Sequence, residues 1–219
     1  MTSKNETNLL NEEECYRRIK ADICNGILMP NQHLVEKDLS TLYGTGRTTV
    51  RTVLARLEQE GLVERERYKG ARVRYVTEEE AIEILEVRIA LECLVVRHAA
   101  EKATEEDVAE LRNILEDMKR HHNEKHLVNY SDDNTRLHQK LLDISNHAIA
   151  TKVLDTLHSQ SVRFQYRTAL SGGHRDNTLE EHQMIVDAVA QRDPVAAEQA
   201  MRKHLYQVLI ALQHFTKGM

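Results

Sequence analysis

The chain has 219 residues, enough for one large domain or two ordinary ones with real apolar cores. It is 41% hydrophobic and 30% charged, with two prolines and no tryptophan, so its core must rest on Leu, Ile, Val and Ala. No apolar run approaches the roughly 20 residues of a membrane span. The polar first twenty residues do not resemble a signal peptide, and three cysteines without a CxxC pair argue against a disulfide framework or a thiolate zinc site, so a cytoplasmic protein is expected.

The overall charge of −5 would seem to exclude nucleic acid, but it is unevenly spread. Residues 1–76 carry 13 basic against 11 acidic side chains, and residues 47–76 alone carry 8 against 4, whereas residues 77–219 carry 17 against 24. Local charge decides where phosphate binds, so the first third is the candidate for DNA. Glycine divides the chain in the same place. Five of the eight glycines fall before residue 71, and no glycine or proline occurs between residues 71 and 171. Short elements with tight turns are expected first, then long helices.

In chain order, the apolar spacing predicts a helix over 9–25 with Leu10, Tyr16, Ile19 and Ile23 inward, then an extended GILMPNQHL segment. A short helix over 36–43, a GTG turn and a helix over 47–60 follow, the last with Val50, Val53, Leu54 and Leu57 inward. LVERER and ARVRYV read as a hairpin about YKG. This order is that of a winged helix-turn-helix, whose third helix fits the roughly 12 Å major groove and presents its first turn to base edges. Arg47, Thr48, Thr49 and Arg51 occupy that turn, and Arg65, Arg67, Lys69 and Arg72 of the hairpin are placed for backbone or minor-groove contact.

From Thr77 onward about six helices are predicted. Thr77 and Thr104 open the first two, with Ile82, Leu85, Ile89 and Val96 along one face of the first. Further helices fit 128–145, 147–170, 177–191 and 194–216, the last started by Asp193-Pro194, with a loop at 171–177. The fold class is therefore mainly α: a winged helix-turn-helix over 1–76 and an all-α helical bundle over 77–219.

His182 precedes Asp193 by eleven residues and His204 follows it by eleven, so an antiparallel hairpin of the last two helices sets both about 16 Å from the turn. Asn134 and His138, four apart, share one helix face and supply a candidate third partner. Such facing side chains build metal sites in helical bundles.

The stretch NGILMPNQHLVEKDLSTLYGTGRTTVRTVLARLEQEGLV, with KGARV after it, resembles the DNA-binding domain of the GntR family of bacterial regulators. The departures are Asn31 where glycine is common, Gly46 where serine is common and Thr49 where proline is common. The resemblance implies DNA contacts from Lys37, Arg47, Thr48, Thr49, Arg51 and Gly70. The segments EVRIALECLVVRHAA, NTRLHQKLLDISNH and EHQMIVDAVAQRDPVAAEQAMRKHL resemble the FCD domain of the FadR-type branch. That likeness implies a divalent metal, zinc or nickel, held at Asn134, His138, His182 and His204. Asn134 stands where aspartate is usual and brings no negative charge, which lowers the expected affinity. It also implies a small carboxylate effector beside the metal, met by Arg88, although Arg88 and Glu92 equally read as an ordinary i,i+4 ion pair.

The function expected is that of a homodimeric transcription regulator, a repressor, which reads a near-palindromic operator and loses affinity for it when effector binds. A regulator that answers to the metal itself, or a helical metalloenzyme fused to a DNA-binding anchor, are the alternatives. No general base stands beside the histidine motif, so no enzymatic activity is expected.

Overall fold

The computed structural model describes residues 9–66, 70–158 and 178–217. The chain divides into two compact units, one ending at Thr77 and the other beginning at Glu78.

In the first unit, α1 spans Glu12–Cys24, shorter at its start than the predicted 9–25. Asn11 explains the difference: its side chain accepts a hydrogen bond from the Glu14 amide at 2.9 Å, which caps the helix, and three glutamates follow in the first turn. Two further helices, α2 (Glu36–Leu42) and α3 (Arg47–Gln59), enclose a tight turn in which Gly44 has φ +61°. The four inward residues expected on α3 are buried, as are Tyr16, Ile19 and Ile23 of α1, while Leu10 is only partly buried. Cys15 is a core residue that the apolar spacing missed.

The hairpin strands are β2 (Val63–Glu66) and β3 (Gly70–Val73). The segment expected to be a plain extended connector contributes β1 (His33–Leu34), which pairs antiparallel with β3 in a sheet of order β1-β3-β2. Backbone bonds between Asn31 and Val73 and between Val73 and Gln32, both 2.9 Å, extend that pairing. Asn31 adopts φ +60° at the entrance to β1, a conformation that asparagine tolerates better than most residues.

The second unit is helical: α4 (Glu78–Lys102), α5 (Glu105–Asn123), α6 (Leu127–Ser145), helical residues 148–158 as α7, α8 (Thr178–Ala190) and α9 (Pro194–Lys217). The remainder of the helix expected over 147–170, and the loop at 171–177, lie outside the described residues. Thr104 and Asp107 form a full capping box at α5, and Asp193 Oδ1 accepts from the amides of Val195 and Ala196 at 3.0 Å to start α9. On α4, Leu85, Ile89 and Val96 are buried, but Ile82 is only half-buried because Ala81 and Ile84 take the inward positions of that turn. With no glycine to hand, left-handed residues at three helix exits are Lys125, Asn146 and Arg192.

The longest helix among the described residues, α4, packs against α9, α6 and α8, and α5 packs against α6 and α8. The inward stripes of four helices thus meet in one region. No helix among the described residues is long and apolar enough to cross a membrane.

Candidate nucleic-acid interface and metal centre

On the first unit, Lys37, Arg47, Thr48 and Arg51 are exposed, Thr49 is half-buried, and Gly70 opens β3 with φ +88°. Lys69 and Arg67 lie outside the described residues. Gly46, at the N-cap of α3, offers no side-chain bond to the first-turn amides. Arg51 is bound in a two-point fork: its Nε donates to Glu36 Oε1 at 2.9 Å and its Nη2 to Glu36 Oε2 at 2.7 Å. Hydrogen bonds from Arg51, opposed by burial and helped by the charges of Arg51, Arg65 and Arg47, hold the Glu36 carboxyl below its ordinary range. Arg65 of β2 donates to the Arg51 carbonyl at 3.0 Å and pairs with Glu58 at 3.2 Å, which fastens β2 to α3. Arg72 is engaged by Glu64 across the hairpin at 2.9 Å. Among the hairpin cations expected to face DNA, Arg65 and Arg72 therefore also serve the domain itself.

In the second unit, His138 of α6, His182 of α8 and His204 of α9 converge, each offering a ring nitrogen within 4.8 Å of the others. The His182 and His204 ring centroids are 4.4 Å apart, and His138 stands 6.0 and 5.6 Å from them. His182 is fully buried and His204 nearly so. Two carboxylates orient two of the rings. Glu92 Oε2 accepts from His138 Nδ1 at 2.6 Å, and Glu181 Oε2 accepts from His204 Nδ1 at 2.9 Å. Each bond places the proton on Nδ1, so that Nε2 carries the ring's lone pair.

Glu92 carries a second duty. Its Oε1 accepts from Arg88 Nε at 3.1 Å and Nη2 at 2.7 Å, and both side chains are about 9% exposed. Burial would raise the Glu92 carboxyl, but the Arg88 charge and the bonds from His138 and Arg88 outweigh it and hold the group well below the usual carboxylate range. Arg88 is thus in the i,i+4 ion pair, and the same carboxylate links it to His138.

Asn134 lies one turn before His138 on α6 and is half-buried. Of the neighbouring aspartates, Asp132 is exposed. Asp133 is buried and spent on His121 at 2.6 Å and Arg136 at 2.7 Å. The sequence alone suggested for Glu92 only the ion pair with Arg88, and for Glu181 no role. The available signals were Glu92 four residues after Arg88 and Glu181 adjacent to His182.

The described donor set suits a borderline metal: three imidazoles, two of them backed by carboxylates. Tetrahedral Zn–N bonds of about 2.0–2.1 Å put donors about 3.4 Å apart, so modest closure of the rings within the 4.8 Å limit accommodates an ion.

Comparison with known proteins accounts for both units. The GntR family of bacterial regulatory proteins matches residues 11–73, and the FCD domain matches residues 83–207. The chain is 27% identical over 207 residues to the HTH-type transcriptional repressor RspR of Escherichia coli, covering 94% of this chain and 90% of the relative. It is 29% identical over 204 residues to the HTH-type transcriptional repressor NanR of Salmonella arizonae, covering 83% and 76%. Among solved structures, McbR/YncC of E. coli shares the fold with a TM-score of 0.80 at 20% identity, over 94% of this chain and all of that one. A GntR-type regulator from Rhodococcus sp. RHA1 aligns with a TM-score of 0.76 at 20% identity over 93% and 97%. With its winged helix-turn-helix, its FCD domain and relatives that regulate transcription, this chain belongs to the GntR family of DNA-binding transcriptional regulators.

Proposed function

We propose that the protein is a homodimeric repressor that reads a near-palindromic operator through α3 and the hairpin, and that the FCD unit holds a divalent ion, zinc or nickel, beside a small carboxylate effector. The observation that carries the effector half is the meeting of His138, His182 and His204 with ring nitrogens within 4.8 Å. Three histidines from three helices, two of them held in one tautomer by buried or half-buried carboxylate contacts, form a ligand set rather than a packing motif. Lys37, Arg47, Thr48, Thr49, Arg51, Lys69 and Gly70 are the proposed DNA contacts. Asn134 provides a neutral oxygen or leaves a position for water.

A bound ion supplies positive charge at the pocket and a point of attachment for a carboxylate. The chain's own residues set the rest. Glu92 and Glu181 orient rings, and the Arg88–Glu92 pair supplies a buried cation already half-satisfied, whose remaining Nη1 edge suits an anion. Both relatives described above, RspR and NanR, are named as repressors, which supports that sign of regulation. Effector acts by binding more tightly to the form with low operator affinity.

Elemental analysis of untagged protein beside His182→Ala tests the reading. Near-stoichiometric zinc or nickel that is lost in the variant is the expected result. Protein that takes up no ion from excess zinc or nickel refutes the metal half of the proposal.

A further inference from the structure

We propose that Glu36 is a specificity-determining residue of the DNA-reading face: it holds Arg51 as a pre-aimed fork for a base edge and withholds it from phosphate. The inference rests on the proposed DNA contact of Arg51 and takes that contact to be with a base edge. The geometry supports the added role. A guanidinium has five N–H donors, and Glu36 takes the Nε hydrogen and one on Nη2. The outer edge formed by Nη1 and Nη2 remains, and that edge matches the O6 and N7 acceptors of guanine. From the other side Arg65 pins the Arg51 backbone carbonyl, so the helix carrying the fork is fixed as well. An exposed arginine otherwise wanders among many rotamers, and fixing it before binding removes that ordering cost from the DNA complex.

The pair also alters non-specific attraction. A cation already matched by a carboxylate exerts little pull on phosphate, and the acidic partner resists a close approach to the backbone. Lys37 and Arg47, which make no ion pair among the described residues, are the cations on this face suited to phosphate. One face thus carries two kinds of basic residue. Uncommitted ones supply affinity for any duplex, and a committed one supplies discrimination.

The test compares wild type, Glu36→Gln, Glu36→Asp, Arg51→Ala and the Glu36→Gln/Arg51→Ala double variant. Two probes are used: a duplex selected from a random pool by the wild-type protein, and a scrambled duplex of the same length. Glu36→Gln is expected to lower the ratio of selected to scrambled affinity on the order of tenfold. Tighter binding to the scrambled duplex causes most of that fall, and the salt dependence steepens by about 0.9 for each phosphate that Arg51 then reaches. Glu36→Asp keeps the charge but shortens the reach, and it is expected to lose most of the discrimination too. In the Arg51→Ala background Glu36→Gln is expected to shift affinity for both probes alike, through the lost negative charge, and to leave the ratio of selected to scrambled affinity unchanged. An unchanged ratio and salt slope in Glu36→Gln overturns the role of Glu36. An Arg51→Ala variant that binds the selected duplex as tightly as wild type instead refutes the underlying assignment of Arg51. Thermal melting of each variant accompanies the titrations, and an equal loss of affinity on both probes, which leaves the ratio unchanged, also counts against the proposal.

Discussion

Removing the Glu92 carboxylate by Glu92→Ala is expected to be among the most destabilising single changes in the helical unit. Glu92 accepts two hydrogen bonds from Arg88 and one from His138, and it is buried with both partners close by. Its loss strands the Arg88 guanidinium in the core with no carboxylate to meet it. Breaking one side of a buried ion pair costs about 3–5 kcal/mol, most of it the penalty on the cation left behind. For a unit of this size each kcal/mol corresponds to roughly 3–4 °C, so a fall of about 9–20 °C in the melting transition of the second unit is expected. The measurement is urea denaturation and calorimetry of chelator-treated protein, so that no bound ion contributes. Arg88→Met/Glu92→Leu serves as the partner variant. With both charges removed and the volume kept, it should lie well above Glu92→Ala in stability. A Glu92→Ala protein within about 1 kcal/mol of wild type would refute the view that the pair is a desolvated charge contact.

Two other changes test the capping account of the helical unit. The Asp107 carboxyl is held down to about 2, first by its bond to Lys140 and then by the backbone and side chain of Thr104. Its folded value lies below the unfolded value of about 3.9, so its contribution is fully present above that value and is lost as pH falls toward 2. The stability difference between wild type and Asp107→Asn, followed by urea titration across that window, should therefore shrink with acid; a constant difference contradicts it. Lys125→Gly removes a side chain from an exposed left-handed residue with φ +58° and is expected to raise stability by about 0.5–1 kcal/mol, read as an upward shift in the denaturation midpoint.

The winged unit was legible from sequence because local signals agreed with one another. The stripe of α3, the turn glycine at Gly44 and the alternation in the hairpin each indicate an element without reference to distant residues. The third strand was not legible, since two residues of β1 have no periodicity of their own and owe their pairing to β3. Ile82 illustrates another limit. A helical stripe on a long helix packed on several sides is broad, and the apolar pattern cannot say which of Ala81, Ile82 and Ile84 turns inward. Equal spacing about Asp193 anticipated the approach of His182 and His204 because rise per residue is fixed in a helix. The roles of Glu92 and Glu181 depend on tertiary placement. Glu92 meets a histidine 46 positions away and Glu181 one 23 positions away, and no local rule connects such pairs.

Those separations bear on biosynthesis. The histidine cluster and its carboxylates draw on α4, α6, α8 and α9, so the site is a knot of distant chain segments rather than a product of neighbours. Loop closure over tens of residues precedes it, and the site is complete only when the chain has been made through His204. The winged unit, by contrast, is made first and closes over short distances. During translation the winged unit is therefore ready before the helical unit. A nascent or truncated chain presents the winged unit without the histidine cluster.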